Sequence, residues 1–142
     1  MKNSKKDIRK LCKEELQDFF ISKNLPEFKG KQVYEWLWKK GVNNFDLMTN
    51  LSLENRELLK LNFDIKHINI DFHQKSSDGT IKNAVKLHDN LVVESVLIPT
   101  KTRTTACISS QVGCSLDCTF CATSALKRMR NLNPDEIYDQ VF

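Results

Sequence analysis

Four of the chain's five cysteines fall in one stretch, CISSQVGCSLDCTFC, from Cys107 to Cys121. Three of them, Cys114, Cys118 and Cys121, are spaced C-x3-C-x2-C. Thiolates this close can converge on one centre if the loop wraps around it, and soft sulfur ligands suit zinc, copper(I) or an iron–sulfur cluster. Structural zinc ordinarily takes four protein ligands from paired knuckles. Here no second C-x2-C and no nearby H-x3-H accompanies the trio, and the three histidines, His67, His73 and His88, lie in the hairpin region before it. Three thiolates on a four-iron cube leave one iron open to chelate a substrate or cofactor. A zinc knuckle, or chance spacing of packed thiols, is the plainer alternative. Cys107 stands seven residues upstream, off the trio's spacing. On residue type alone it is either a structural cysteine or a reactive thiol.

Glu94 is the second group able to do chemistry. In LVVESVLIP, alternation puts it on one face with Val92, Val96 and Ile98. A carboxylate among branched apolar groups is costly when charged and unpaired, a setting that suits a general base. Leu91, Val93 and Leu97 on the other face are apolar too, so the pattern leaves open which face is buried.

The elements that must position these groups follow from periodicity. LCKEELQDFFISKN carries Leu16, Phe19 and Phe20 at helical spacing, and Leu25-Pro26 breaks that helix. KQVYEWLWKK puts Val33, Trp36 and Leu37 on one stripe, with Gly41 as terminator. Ser52 caps a further helix with Leu58, Leu59 and Leu61. The period then changes to two. Ile68, Ile70 and Phe72 alternate as in a half-buried strand, and Asp78-Gly79 turns the chain into a second strand, Ile81 to Leu87. Asp89-Asn90 leads into the Glu94 strand, and Arg103 to Ile108 forms another that delivers the cysteine loop. After the loop, Asn133 caps a helix with Pro134 at its first position and Asp135 and Glu136 in its first turn. Its apolar positions, Ile137 and Val141, are expected to lack a sheet to bury against.

The bulk composition fits this reading. The chain has 142 residues, 40% hydrophobic and 28% charged, with a net charge of +4. No stretch has the length of a membrane span and no secretory h-region is visible, so a cytoplasmic protein with reduced thiols is expected. Lys101, Arg103, Lys127, Arg128 and Arg130 flank the candidate site, and Lys29, Lys31, Lys39 and Lys40 lie in the helical module. They could neutralise phosphates, although charge runs are usually solvated faces. Trp36, Trp38 and Phe45 could stack bases; Trp36 reads rather as core, and Trp38 is open between the two.

C-x3-C-x2-C with an aromatic, Phe120, before the last cysteine resembles the signature of radical S-adenosylmethionine (SAM) enzymes. The longer stretch, with VESVLIP before it and RNLNPDEIYDQV after it, resembles the radical SAM rRNA adenine-C2 methyltransferases. FKGKQVYEWLWKKGVNNFDLMTNLS is similar to their helical accessory domain. The resemblance covers nearly all of this chain and only the first part of the family's length.

What it implies is specific. Cys114, Cys118 and Cys121 would bind a [4Fe–4S] cluster, whose open iron binds SAM. Phe120 would lie against the SAM adenine; plain core packing is the alternative. The implied products are an rRNA, 23S, and tRNAs methylated at adenine C2. The implied route moves a methyl group from one SAM to a downstream cysteine, forms a radical on it with a second SAM, and joins it to the base. Glu94 or Cys107 would take the C2 proton. Cys107 would release the product by forming a disulfide with the methyl-carrying cysteine. An electron donor such as flavodoxin or ferredoxin and a monomeric state are also implied.

The expected fold is α/β. It comprises a helical accessory domain (1–63), a β-hairpin connector (64–99) and the first βα unit of a truncated radical SAM partial barrel (100–142). No cysteine follows Cys121, and no G-E-P-type strand for the SAM amino group is present. The chain is therefore expected to be an inactive fragment that binds a cluster poorly. Two alternatives remain: a sister adenine-C8 rRNA methyltransferase, and a non-catalytic, metal-stabilised RNA-binding module.

Overall fold

In the computed structural model, residues 5–116 and 118–141 are described, and the chain divides into two compact units at Lys66/His67. The first unit is helical. Its α1 helix (Lys13–Ser22) begins at Cys12, whose sulfur accepts the Glu15 N–H while the Glu15 carboxylate accepts the Cys12 N–H at 2.8 Å. This reciprocal cap satisfies donors that a helix start leaves free. Asn24, in the left-handed region at φ 57°, ends the helix just before Leu25-Pro26. The α2 helix (Phe28–Trp38) starts three residues earlier than the apolar stripe suggests. Gly30 lies in this added turn: a Cβ there would meet Gln17 N at 2.5 Å, so only glycine lets α1 and α2 approach this closely. Ser52 caps α3 (Leu53–Asn62) as expected, accepting the Asn55 N–H.

The core of this unit includes Ile8, Leu16, Phe20, Val33, Leu37 and Leu59. A short parallel pair, β1 (Lys6–Asp7) with β2 (Phe63–Asp64), joins its two ends. Leu61 departs from the expected apolar stripe and is exposed, because α3 buries only its Asn55 and Leu59 side.

The second unit is built on a four-stranded antiparallel sheet. Its order is β3 (Asn69–Lys75), β4 (Ile81–Lys86), β5 (Val92–Pro99) and β6 (Thr104–Cys107). Gly79 at φ 87° and Asn90 at φ 66° make the two turns that the sequence marks. Alternation sorts the inner strands cleanly: Asn83, Val85, Val93 and Ser95 are buried, while Lys82 and Glu94 on the opposite face are exposed. The buried face meets Val112 and Leu132 in an apolar core that includes Val85, Leu87 and Val93.

Two expectations change here. Strand β3 is exposed along its whole length, Ile70 and Phe72 included. Its register shifts between those residues, so the alternation that suggests a half-buried strand does not hold one face inward. The helix from Asn133, α4 (Pro134–Tyr138), does have something to bury against: Ile137 packs on the sheet core, although Val141 is exposed. The sheet also crosses the boundary drawn at residue 100, since β6 pairs antiparallel with β5 in the same sheet as the hairpin.

Candidate metal centre and the cavity beside it

The cysteine loop is closed at its base like a drawstring. Strands β7 (Gln111–Val112) and β8 (Arg130–Asn131) pair antiparallel, and Cys114 N–H donates to Leu126 O at 3.1 Å just inside them. Gly113 makes this closure possible. It sits at φ 74°, and a Cβ there would lie 2.2 Å from Lys127 O. Beneath the ladder, the Arg130 guanidinium forks onto Glu136 at 2.7 and 2.8 Å and reaches Asp89 at 2.8 Å. Glu136 is fully buried, and a planar fork on a carboxylate fixes orientation as well as charge. Gln140 grips the Ser109 backbone, donating to its carbonyl and accepting its N–H, both at 2.8 Å. Ser109 Oγ donates to Glu94 O at 2.7 Å, which ties the loop to β5.

All five cysteines carry free thiols. Those of Cys114, Cys118 and Cys121 are half-buried within the one loop. Cys114 sulfur accepts the Leu116 N–H at 3.4 Å. The N–H groups of Ser124 and then Thr123, opening a short 3-10 turn (Ala122–Ala125), hold the Cys121 thiol below its ordinary range. Amide donors aimed at sulfur favour the thiolate, the form that binds metal. The chemistry of three soft sulfur donors in one loop, one of them preorganised by amides in this way, fits the iron–sulfur cluster that the spacing implies.

A cavity of about 540 Å³ lies beside the loop. Lys82, Glu94 and Val96 border it from the sheet, Cys107 from β6, and Thr123 and Leu126 from the cysteine loop. The fold therefore gathers both candidate catalytic side chains at the loop that carries the thiol trio. Cys107 is exposed, not a buried structural cysteine. Glu94 is not enclosed by apolar groups as one reading of its strand suggests: its side chain is 60% exposed and pairs with Lys82 at 2.7 Å. Phe120 is 91% exposed, which sets aside core packing for it within this chain.

Other sequence-predicted groups have different places. Arg130 is committed to Glu136 and Asp89, so it cannot serve as a phosphate contact without breaking the loop base. Lys101, Arg103, Lys127 and Arg128 are exposed. In the helical unit, Phe45 is buried in the core and unavailable for stacking, while Trp36 and Trp38 are half-buried against that core. Lys40 Nζ lies 3.4 Å from the centroid of Trp36, a cation–π contact. Lys82 and Gly113 are the site residues that the sequence reading missed. Lys82 lies three residues after Gly79 of the Asp78-Gly79 turn, but nothing local marks it as facing Glu94.

Residues 6–65 match the family described as "Ribosomal RNA large subunit methyltransferase N-terminal domain". Over 141 residues the chain is 70% identical to a protein of Christiangramia forsetii described as "Probable dual-specificity RNA methyltransferase RlmN", covering 99% of this chain and 40% of that protein. A "Dual-specificity RNA methyltransferase RlmN" of Desulfotalea psychrophila is 41% identical over 95% of this chain and 37% of its own length. A crystal structure of a radical SAM methyltransferase from Sphaerobacter thermophilus superposes with a TM-score of 0.79 at 30% identity, covering 96% of this chain and 40% of that one. The chain thus spans about two fifths of the length of the relatives it matches. Among the described residues, no helix is long and apolar enough to cross a membrane.

Proposed function

From the match of residues 6–65 and the 70% identity to a protein described as RlmN, we propose that the chain belongs to the RlmN family of dual-specificity RNA methyltransferases and forms the N-terminal part of a radical SAM enzyme. That enzyme methylates C2 of an adenosine in 23S rRNA and of an adenosine in tRNAs. The observation that carries the proposal is a cavity bordered together by the cysteine loop, Glu94 and Cys107.

Cys114, Cys118 and Cys121 would hold the [4Fe–4S] cluster. When bound, the cluster supplies the electron that cleaves SAM, and the electron itself comes from a donor such as flavodoxin or ferredoxin. The residues of this chain then have separable tasks. Exposed Phe120 offers a flat apolar face to the adenine of SAM. Glu94 accepts the proton that leaves the adenine carbon, forming a carboxylic acid. Its side chain borders the cavity and pairs there with Lys82. Cys107 supplies the thiol that forms an S–S bond to the methyl-carrying cysteine as that cysteine's bond to the RNA carbon breaks. A thiol beside the loop but outside the trio suits this role, because it stays free while the trio is occupied. The helical unit, with Lys31, Lys39, Trp38 and the Trp36–Lys40 pair at its surface, supports the reading of an RNA-binding accessory domain.

Nucleoside mass spectrometry of rRNA and tRNA tests this. Cells lacking the endogenous activity would carry the complete gene, or its Cys107→Ala or Glu94→Gln variant. The wild type is expected to yield 2-methyladenosine in both RNAs, and each variant to lose it by at least about 100-fold. An 8-methyladenosine product would assign the sister activity instead. Full methylation by Cys107→Ala would remove Cys107 from the mechanism.

A further inference from the structure

The proposed chemistry leaves one charged side chain of the cavity without a task. Among the described residues bordering it, Lys82 is the one cation and Glu94 the one carboxylate. The sheet register brings them together. Lys82 on β4 is opposite Val96 on β5, and Val96 is opposite Cys107 on β6, so these three side chains form one row across the sheet. Glu94, two residues before Val96, points to the same face. Lys82 reaches it diagonally, a distance that long cross-strand side chains span, and its Nζ lies 2.7 Å from Glu94 Oε1.

Packing gives no reason for an ammonium here. Its neighbours in the cavity wall include Val92, Val96, Ile108 and Leu126, against which an apolar side chain would serve as well. Stability gives little reason either. The two side chains are 51% and 60% exposed, and exposed pairs contribute little to folding. What the pair does accomplish is local. It fixes the carboxylate of a flexible side chain in one place and keeps a positive charge beside it.

Resting on the assignment of Glu94 as proton acceptor, we propose that Lys82 is a positioning residue, holding the Glu94 carboxylate aimed into the cavity beside Cys107. When the substrate carbon gives up its proton, the O–H bond forms on Glu94, the carbon keeps the electron pair, and Lys82 retains its own protons. Lys82 touches no reacting atom in this scheme.

Two readouts test it. In the chain itself, carbodiimide-driven amidation of Glu94, followed by peptide mass spectrometry, reports how firmly the carboxylate is held. Lys82→Met is expected to raise Glu94 labelling severalfold and Lys82→Arg to restore protection. In the complete enzyme, Lys82→Met is expected to lower kcat about 10- to 100-fold with KM for RNA little changed, the size of effect that misplacing a reacting group has. Lys82→Arg is expected to recover most of that rate. Unchanged labelling in Lys82→Met overturns the proposal. So does a raised KM with wild-type kcat, which would make Lys82 a phosphate contact. Inactive Glu94→Gln beside a fully active Lys82→Met overturns the Lys82 assignment and leaves the proton acceptor standing. A fully active Glu94→Gln overturns both.

Discussion

Among the described residues, twelve apolar side chains close the core of the helical unit, whereas five do so in the sheet unit. In the sheet unit, Leu116, Phe120, Leu126 and Met129 of the cysteine loop are exposed, as are Ile70 and Phe72 on the outer strand. The helical unit reaches its fold by burial. The sheet unit relies more on directed polar contacts: the Arg130 fork on Glu136, the Gln140 clamp on Ser109, and a ladder closed over Gly113. A loop with the role proposed for it, holding an inorganic centre and facing a substrate, leaves its own tip unburied, so its shape must be set from the base. The difference teaches where each unit is fragile. The first is sensitive to lost volume, the second to a lost charge partner or an added Cβ.

The largest effect should come from aromatic truncation. Phe20→Ala removes a fully buried ring and is expected to destabilise the helical unit by about 3–5 kcal/mol. Phe120→Ala in the loop is expected to change stability by less than about 0.5 kcal/mol. Urea unfolding followed by far-UV circular dichroism separates them, and equal losses would break the comparison.

Next in size is Arg130→Met, which leaves the buried Glu136 carboxylate without its partner, at about 3 kcal/mol. Hydrogen exchange at the Cys114 and Met129 amides should accelerate with it. The same pair sets a pH dependence. Burial pushes the Glu136 carboxyl up, but the Arg130 guanidinium and the Asn133 N–H outweigh it, leaving the group below its ordinary range. A carboxyl lowered by folding stabilises above its unfolded value of about 4.3, and that contribution is lost as pH falls through the lower folded value. Loop-base protection in the wild type is therefore expected to hold through pH 5 and fail on further acidification. Arg130→Met should lose this acid transition.

Gly113→Ala is expected to cost about 2 kcal/mol, from a left-handed backbone combined with a blocked contact at Lys127 O. The smallest effect is chemical. Cys121, acidified by the Ser124 and Thr123 amides, should be alkylated at lower pH than an ordinary thiol of about 8.5. A rate profile that rises only above that value would remove the preorganisation argument.

Much of this was legible in the sequence because local rules agree with the fold. Ser52 and Asn133 mark helix starts, and Gly79 and Asn90 mark turns. Glu94 was ambiguous because both faces of its strand are rich in apolar residues; pairing with β4 decided which face is buried. Exposure of Ile70 and Phe72 followed from a register shift that period-two counting does not detect. Arg130 read as one more basic residue, since its partners Asp89 and Glu136 lie at different sequence separations. Lys82 was invisible for the same reason: cross-strand neighbours are set by register, not by spacing along the chain.

The central claim divides the cysteines of the site into an occupied trio and a spared thiol. It is tested most directly by anaerobic reconstitution of the complete protein with iron and sulfide, alkylation with iodoacetamide, and peptide mass spectrometry. Brown iron–sulfur absorption, with Cys114, Cys118 and Cys121 protected and with Cys107 labelled like the exposed Cys12, is the predicted result. Protection of Cys107 together with the trio, or an intact cluster with any of the trio labelled, would contradict it.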